Sequence, residues 1–361
     1  MRNASDAFRV SVTREEIALV FGSRQQRKDG EKAPPVLASS QVILSPFTTK
    51  RLLASLAKSL REYEAAYGPI GDATGPDDRI APPPILHPPA FQSPRSTRMA
   101  VQLLELLEQL GTGADFERSF KLLPKTLLAN RFLLAVQKRA IPEEAETRVL
   151  DLCRGLGMPE AGLGLFREHL PEADVVGFGL EEEESTCMVK AYLEFRRRYI
   201  EAIRQKREKE YSYVSHLGVK WDASDPARNV LGQYACFPAL TATDILERIA
   251  GRHYRSDKEG PLATVRDIVT LAVSRVGREK FLYLEATEEG IPRASFDINI
   301  YPANLQMREV LGFLSELFKH FAIPEAQSHA LRETLQGGTL GHLAGGTDRQ
   351  GRDFLTVYFE E

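Results

Sequence analysis

Three segments of this chain share one plan: an apolar strand, a polar turn, and a second strand that ends in tyrosine. The first is VVGFGL (175–180), the polar run Glu181 to Thr186, then CMVKAY (187–192). The second is FLYLEA (281–286), a turn holding Gly290 and Pro292, then SFDINIY (295–301). The third is LGHLAGG (340–346), a polar TDRQGRD turn, then FLTVYF (354–359). Their second strands align as Lys190-Ala191-Tyr192, Asn299-Ile300-Tyr301 and Thr356-Val357-Tyr358. A weaker fourth hairpin runs from Tyr213 to Trp221 and returns through Gln233 to Phe237.

Side chains alternate across a strand, so each of these second strands has two faces. Met188, Lys190 and Tyr192 oppose Cys187, Val189, Ala191 and Leu193. Asp297, Asn299 and Tyr301 oppose Phe296, Ile298 and Ile300, and Thr356 and Tyr358 oppose Leu355, Val357 and Phe359. Amphipathic helices over about 262–277 and 305–322 lie between the hairpins and offer apolar stripes to cover the apolar faces. Two arrangements satisfy the pattern. An open antiparallel sheet turns its polar side to water. A closed barrel instead encloses a polar, tyrosine-lined lumen and removes the sheet edges. Recurrence of tyrosine at the same place favours the closed form, because a solvated face has no need of it.

The rest of the chain divides by composition. Residues 69–94 contain eight of the 21 prolines, which excludes a helix there and weakens any strand, so 69–97 is read as a linker. Before it, residues 1–68 form a small α+β module. Phe8 to Val12, Ile17 to Phe21 and Val42 to Leu44 are its strands, and a helix starts at Ser45-Pro46 and ends at Gly68. After it, 98–170 reads as helical, with Met99, Leu103, Leu106, Leu107 and Leu110 on one stripe and Leu127 to Val136 on another.

The balance of 47 Lys+Arg against 50 Asp+Glu excludes a generally basic nucleic-acid binder. Cys153, Cys187 and Cys236 are too few for a disulfide framework or a CxxC metal site. No apolar run approaches the ~20 residues of a spanning helix, and Met1 to Asp6 has no signal core. These features describe a soluble, cytoplasmic protein. Glu181 to Glu184 read as a solvated turn, the arginine-rich stretch from Glu194 to Glu210 as a solvated helix face, and His342 as a satisfied histidine on the face of Leu340 and Ala344.

Two resemblances add to this reading. The text VILSPFTTKRLLASL and the end REYEAAYG make residues 7–68 similar to a small bacterial domain family of unknown function. A unit this size buries little core, which favours docking or dimerisation. The hairpin-helix repetition and Met188-Val189-Lys190-Ala191-Tyr192-Leu193 resemble the ABBA-type aromatic prenyltransferases over residues 98–361. The nearest likeness is to the cyanobactin peptide prenyltransferases, through RFLLAV (131–136), VVGFGL to AYLEF (175–195), FDINIY (296–301) and FLTVYF (354–359).

The resemblance implies an antiparallel barrel of ββαα repeats with helices outside, and transfer of an isoprenyl group from a diphosphate to a peptide or aromatic acceptor. It implies that Lys190, with Arg131 on a helix at the barrel mouth, contacts diphosphate. Tyr192, Tyr301 and Tyr358 shield the allylic cation, and Asn299 and Thr356 line the same ring. Asp297 or Glu285 serves as the acceptor's base or as a Mg2+ ligand. Mg2+ is the one cofactor admitted, and no tightly bound organic cofactor is expected. On the aligned strands Lys190 is the sole cation, which leaves a second reading open: a non-catalytic ligand- or peptide-binding barrel that partners a peptide-modification complex. A third is different chemistry in the same lumen.

Overall fold

The alternation closes on itself. In this computed structural model, residues 7–12, 17–23, 37–44, 52, 91–183, 186–205, 208–254, 260–276 and 281–360 are described. The chain divides into two compact units, Met1–Pro82 and Pro83–Glu361. In the first, β1 (Ala7–Val12), β2 (Ile17–Ser23) and β3 (Leu37–Leu44) form one antiparallel sheet in that order, as the strand pattern predicts. Of the helix expected after Ser45-Pro46, only Leu52 is described, and it is helical. The rest of that helix, and residues 69–90 of the proline-rich stretch, lie outside the described residues.

The second unit is a closed barrel of ten antiparallel strands in chain order. They are β4 (Asp115–Leu123), β5 (Thr126–Gln137), β6 (Val175–Glu183), β7 (Thr186–Glu194) and β8 (Tyr213–Asp222). After them come β9 (Asp225–Cys236), β10 (Leu282–Glu288), β11 (Ile291–Asn299), β12 (Thr339–Thr347) and β13 (Asp353–Glu360). Closure is made where β13 meets β4, with Leu355 opposite Leu122, Thr356 opposite Lys121 and Tyr358 opposite Ser119. The weak fourth hairpin is present as β8–β9.

Helices cover the outside. α1 (Pro94–Glu108) precedes β4, α2 (Ala145–Gly155) and α3 (Glu160–His169) join β5 to β6, and α4 (Arg196–Arg204) joins β7 to β8. α5 (Ala242–Arg252) and α6 (Pro261–Val276) join β9 to β10, and α7 (Met307–His320) and α8 (Glu325–Thr334) join β11 to β12. Val189, Ala191 and Leu193 pack with Leu103, Val149 and Phe166 on one side of the barrel. Ile298, Val357 and Phe359 pack with Val265, Ile268, Val310 and Leu314 on the other. Full burial of a Leu, Ile or Phe side chain contributes roughly 1.5–3 kcal/mol. Helices on the apolar faces therefore leave the polar faces no direction but inward. No helix among the described residues is long and apolar enough to cross a membrane, and the three cysteines are free and buried.

Two expectations are corrected. Residues 98–170 are not uniformly helical, since β4 and β5 lie inside that range. On β5, Phe132, Leu134 and Val136 face the outer core while Leu133 and Ala135 line the lumen, so both faces are apolar and the period is masked. Residues 94–97 belong to α1 rather than to a linker, because Ser93 starts the helix: its Oγ accepts from Ser96 N at 3.0 Å, with Pro94 at the first position.

The acidic run is a strand continuation and not a solvated turn, since β6 extends to Glu183. Glu182 is buried and accepts from the backbone N–H of Gln92 and Ser93, each at 2.8 Å, and from Asn130 Nδ2 at 2.8 Å. One outward carboxylate thus ties the chain entering α1 to β5 and β6. Replacement of Glu182 by Ala leaves these donors without their acceptor and is expected to destabilise the fold by about 1–3 kcal/mol in urea titration. A loss below about 0.5 kcal/mol would show that water replaces the carboxylate freely.

Candidate functional site

The lumen contains two adjoining cavities of about 130 and 350 Å³ that share Arg131, Lys190, Tyr192, Tyr234, Asp297 and Tyr358. The smaller is the cationic lobe. Lys121 on β4, Arg131 on β5, Lys190 on β7 and Lys220 on β8 all line it. Lys190 and Lys220 are direct cross-strand partners, a like-charge pairing that is unfavourable unless offset. Two carboxylates offset it. Glu181 pairs with Lys190 and, at 3.1 Å, with Arg131, and Glu288 pairs with Lys220 at 2.8 Å. Burial alone would raise the Glu181 carboxyl, but Arg131, Lys190 and Lys121 outweigh it and hold the group well below the usual range. Burial pulls the Lys190 ammonium down, with Glu181 opposing and Arg131 and Lys220 assisting.

Aromatic rings cross the middle of the lumen. Tyr192 meets Tyr234 edge to face at 5.9 Å between centroids, and Tyr358 lies 6.0 Å from His342. Burial raises the Tyr192 and Tyr358 hydroxyls, so both rings stay neutral. The cross-strand partners of Tyr192 are Gly177 and Gly218, and a Cβ at Gly218 would lie 2.8 Å from the Tyr192 ring. Glycine at that position lets the ring lie across β8.

The larger lobe adds Asp115, Glu117, Glu194 and Glu360, acidic residues that the smaller lobe lacks, to the shared Asp297. His342 sits among them, with Nδ1 2.8 Å from Asp297 and Nε2 3.8 Å from Glu117. Tyr301 donates its hydroxyl to Glu117 and lies edge-on to the His342 ring at 5.4 Å. Burial raises the Glu117 carboxyl, against the lowering effect of His342 and Tyr301.

The structure therefore brings together Lys190, Tyr192, Asp297, Asn299, Tyr301, Thr356, Tyr358 and Arg131 as lumen residues. Tyr301 reaches the lumen from a short 3-10 turn, Tyr301–Ala303, beyond the end of β11, and Asn299 Oδ1 accepts from Tyr301 N at 3.1 Å. Arg131 lies on a strand inside the barrel and not on a helix at its mouth. Glu285 is not among the lumen residues. It faces outward beneath α5, with Arg248 Nε at 2.6 Å and the Tyr283 hydroxyl at 3.1 Å. Tyr283 and Glu285 point away from the lumen, whereas Leu282, Leu284, Ala286 and Glu288 line it. Among the described residues no three His, Cys, Asp or Glu side chains converge as a metal-binding group.

The scarcity of cations inferred from the aligned strands is also corrected. Lys121 sits in a segment with a helix-like apolar pattern, and Lys220 sits in the weakest hairpin, so neither showed as a lumen residue. Alternation sets His342 on the face of Leu340 and Ala344; Ala344 does line the lumen with it, but a register shift between Leu340 and His342 turns Leu340 to the outer core.

His342 generates a pH prediction. Burial lowers it, but Asp297 and Glu117 outweigh this and raise it from 6.5 to about 9. A raised histidine stabilises the fold fully below its unfolded value, and that contribution is lost as pH rises through the folded value. The melting-temperature deficit of His342→Gln should therefore be largest near pH 6 and close toward about pH 9. A deficit that widens with pH would mean that His342 is neutral in the fold.

Comparison with known proteins bears on each unit separately. Residues 5–72 match a family described as "Protein of unknown function (DUF3467)". No curated protein matches the chain. Among solved structures, 5-dimethylallyltryptophan synthase from Streptomyces coelicolor is similar with a TM-score of 0.51 and 15% identity, over 74% of this chain and 92% of that one. The complex of that enzyme with DMASPP and Trp gives a TM-score of 0.50 at 15% identity, over 74% and 89% of the two chains. At that identity the likeness establishes fold alone: the described residues of the second unit form a barrel of the ABBA prenyltransferase type, with ten antiparallel strands inside a shell of helices.

Proposed function

We propose that this protein transfers an isoprenyl group from a diphosphate donor to an aromatic acceptor, free or carried on a peptide. The observation that carries the reading is the convergence of Lys121, Arg131, Lys190 and Lys220 in one lobe beside a band of tyrosines. Departure of diphosphate leaves negative charge on its oxygens, and fixed cations in a water-poor lumen stabilise it far more than solvent does. The allylic C–O bond breaks with its electron pair on the leaving diphosphate. The positive charge left on the isoprenyl carbon faces the rings of Tyr192, Tyr234 and Tyr358, which stabilise it and exclude water. A π pair of the acceptor forms the new bond, and the acceptor then releases a proton. Asp297 and Glu117, both facing His342, are the carboxylates placed to take that proton.

The acceptor occupies the larger lobe. α4 begins at its rim, since Arg196 lines that lobe, and Ile200 and Ile203 on the same helix are 49% and 48% exposed. That apolar face beside the mouth supports a polypeptide acceptor, which is also what the cyanobactin likeness implies. The module at 5–72 recruits the acceptor or a partner protein, and the whole works in the cytoplasm.

Dimethylallyl and geranyl diphosphates should raise the melting temperature by mass action, and mass spectrometry of a reaction with tryptophan or a tryptophan peptide should show the added isoprenyl mass. Lys190→Ala should remove the thermal shift while the protein stays folded. No shift with either donor, with or without Mg2+, sinks the reading, and a shift without any transfer supports a binding barrel instead. Paired Ile200→Glu and Ile203→Glu changes should raise KM for the peptide and leave the donor shift intact.

A further inference from the structure

We propose that Glu181 is a positioning residue of the cationic lobe: it holds Arg131 and Lys190 in the lumen and limits how tightly diphosphate is retained there. The inference rests on the donor reading above.

Glu181 stands opposite Arg131 in the β5–β6 register and is 7% exposed. Its Oε2 pairs with Arg131 Nη2 at 3.1 Å and with Lys190 Nζ. Arg131 is itself 5% exposed, and its Nε and Nη1 have no hydrogen-bond partner. A guanidinium carries its donors in a rigid plane, so the carboxylate on Nη2 fixes where the remaining N–H groups point. Buried donors without a partner are unfavourable, and an anion entering the lobe supplies the missing oxygens. Glu181 therefore remains in place when the anion arrives, because the anion takes nitrogens that Glu181 does not use.

Charge sets the second half of the role. Lys121, Arg131, Lys190 and Lys220 face Glu181 and Glu288 in this lobe, four cations against two carboxylates, which leaves +2. Asp297 also lines it but is answered by His342. A diphosphate brings roughly two to three negative charges, so +2 nearly matches it. Without Glu181 the released diphosphate would meet one carboxylate fewer, its own charge would keep Lys190 protonated, and the lobe would hold it harder. The carboxylate thus keeps the cations aimed while letting the product leave.

Inorganic pyrophosphate titrated calorimetrically into the full-length protein tests this. Glu181→Gln keeps the shape and removes the charge. It should bind pyrophosphate about tenfold tighter or more, with a steeper salt dependence and slower steady-state turnover. Glu181→Asp keeps the charge but shortens the arm. Its pyrophosphate affinity should stay within about threefold of wild type while kcat falls, which also tests the role if Glu181→Gln fails to fold. Unchanged or weaker pyrophosphate binding by folded Glu181→Gln overturns the proposal, as does a gain in Glu181→Asp equal to that in Glu181→Gln. Pyrophosphate binding by neither wild type nor variants overturns the donor reading itself, a distinct outcome from either.

Discussion

Closure of the ladder between β13 and β4 is the constraint on which the site depends. It sets Thr356 beside Lys121 and Tyr358 beside Ser119, and through β5 it places Arg131 opposite Glu181. The four cations are on four different strands, so their distances are fixed by register around the ring and not by any local sequence. With β4 held in place, a slip of one residue at that seam would turn Thr356 and Tyr358 outward into the apolar shell and Val357 and Phe359 into the lumen.

The enclosed charges then obey a second constraint. Four cations in a narrow space repel each other, and Lys190 directly opposite Lys220 is the sharpest case. Glu181 and Glu288 make the arrangement tolerable while leaving a positive excess. The larger lobe carries the opposite sign beyond the shared Asp297, with Glu117 and Glu360 lining it alongside His342. The lumen is thereby polarised along its axis: an anion is favoured at one end, and a group that gives up a proton is favoured at the other. The tyrosine band between them separates the two charge systems.

Much of this was legible in the alternation. Lys190, Tyr192, Asp297, Thr356 and Tyr358 lie on the polar faces of strands whose other face is unbroken apolar sequence, so their direction followed once helices covered that face. What was not legible has definite causes. Leu133 and Ala135 make both faces of β5 apolar and give it a helical look, which hid Arg131's strand and the neighbouring Lys121. The register shift before His342 reverses a face that uniform alternation would assign otherwise. Four consecutive glutamates resemble a solvated turn until β6 is seen to continue through three of them.

The sequence by itself determined most local units: three amphipathic hairpins and a weaker fourth, the helices between them, and which side of most of those strands is polar, because these depend on periodicity within a few residues. Only the tertiary structure decided that the hairpins close, that four cations from four strands meet in one lobe, that Glu181 stands among them, and that Glu285 does not face the lumen. Those facts depend on register between strands far apart in the chain, and the free energy that sets register comes from burying the outer face as a whole.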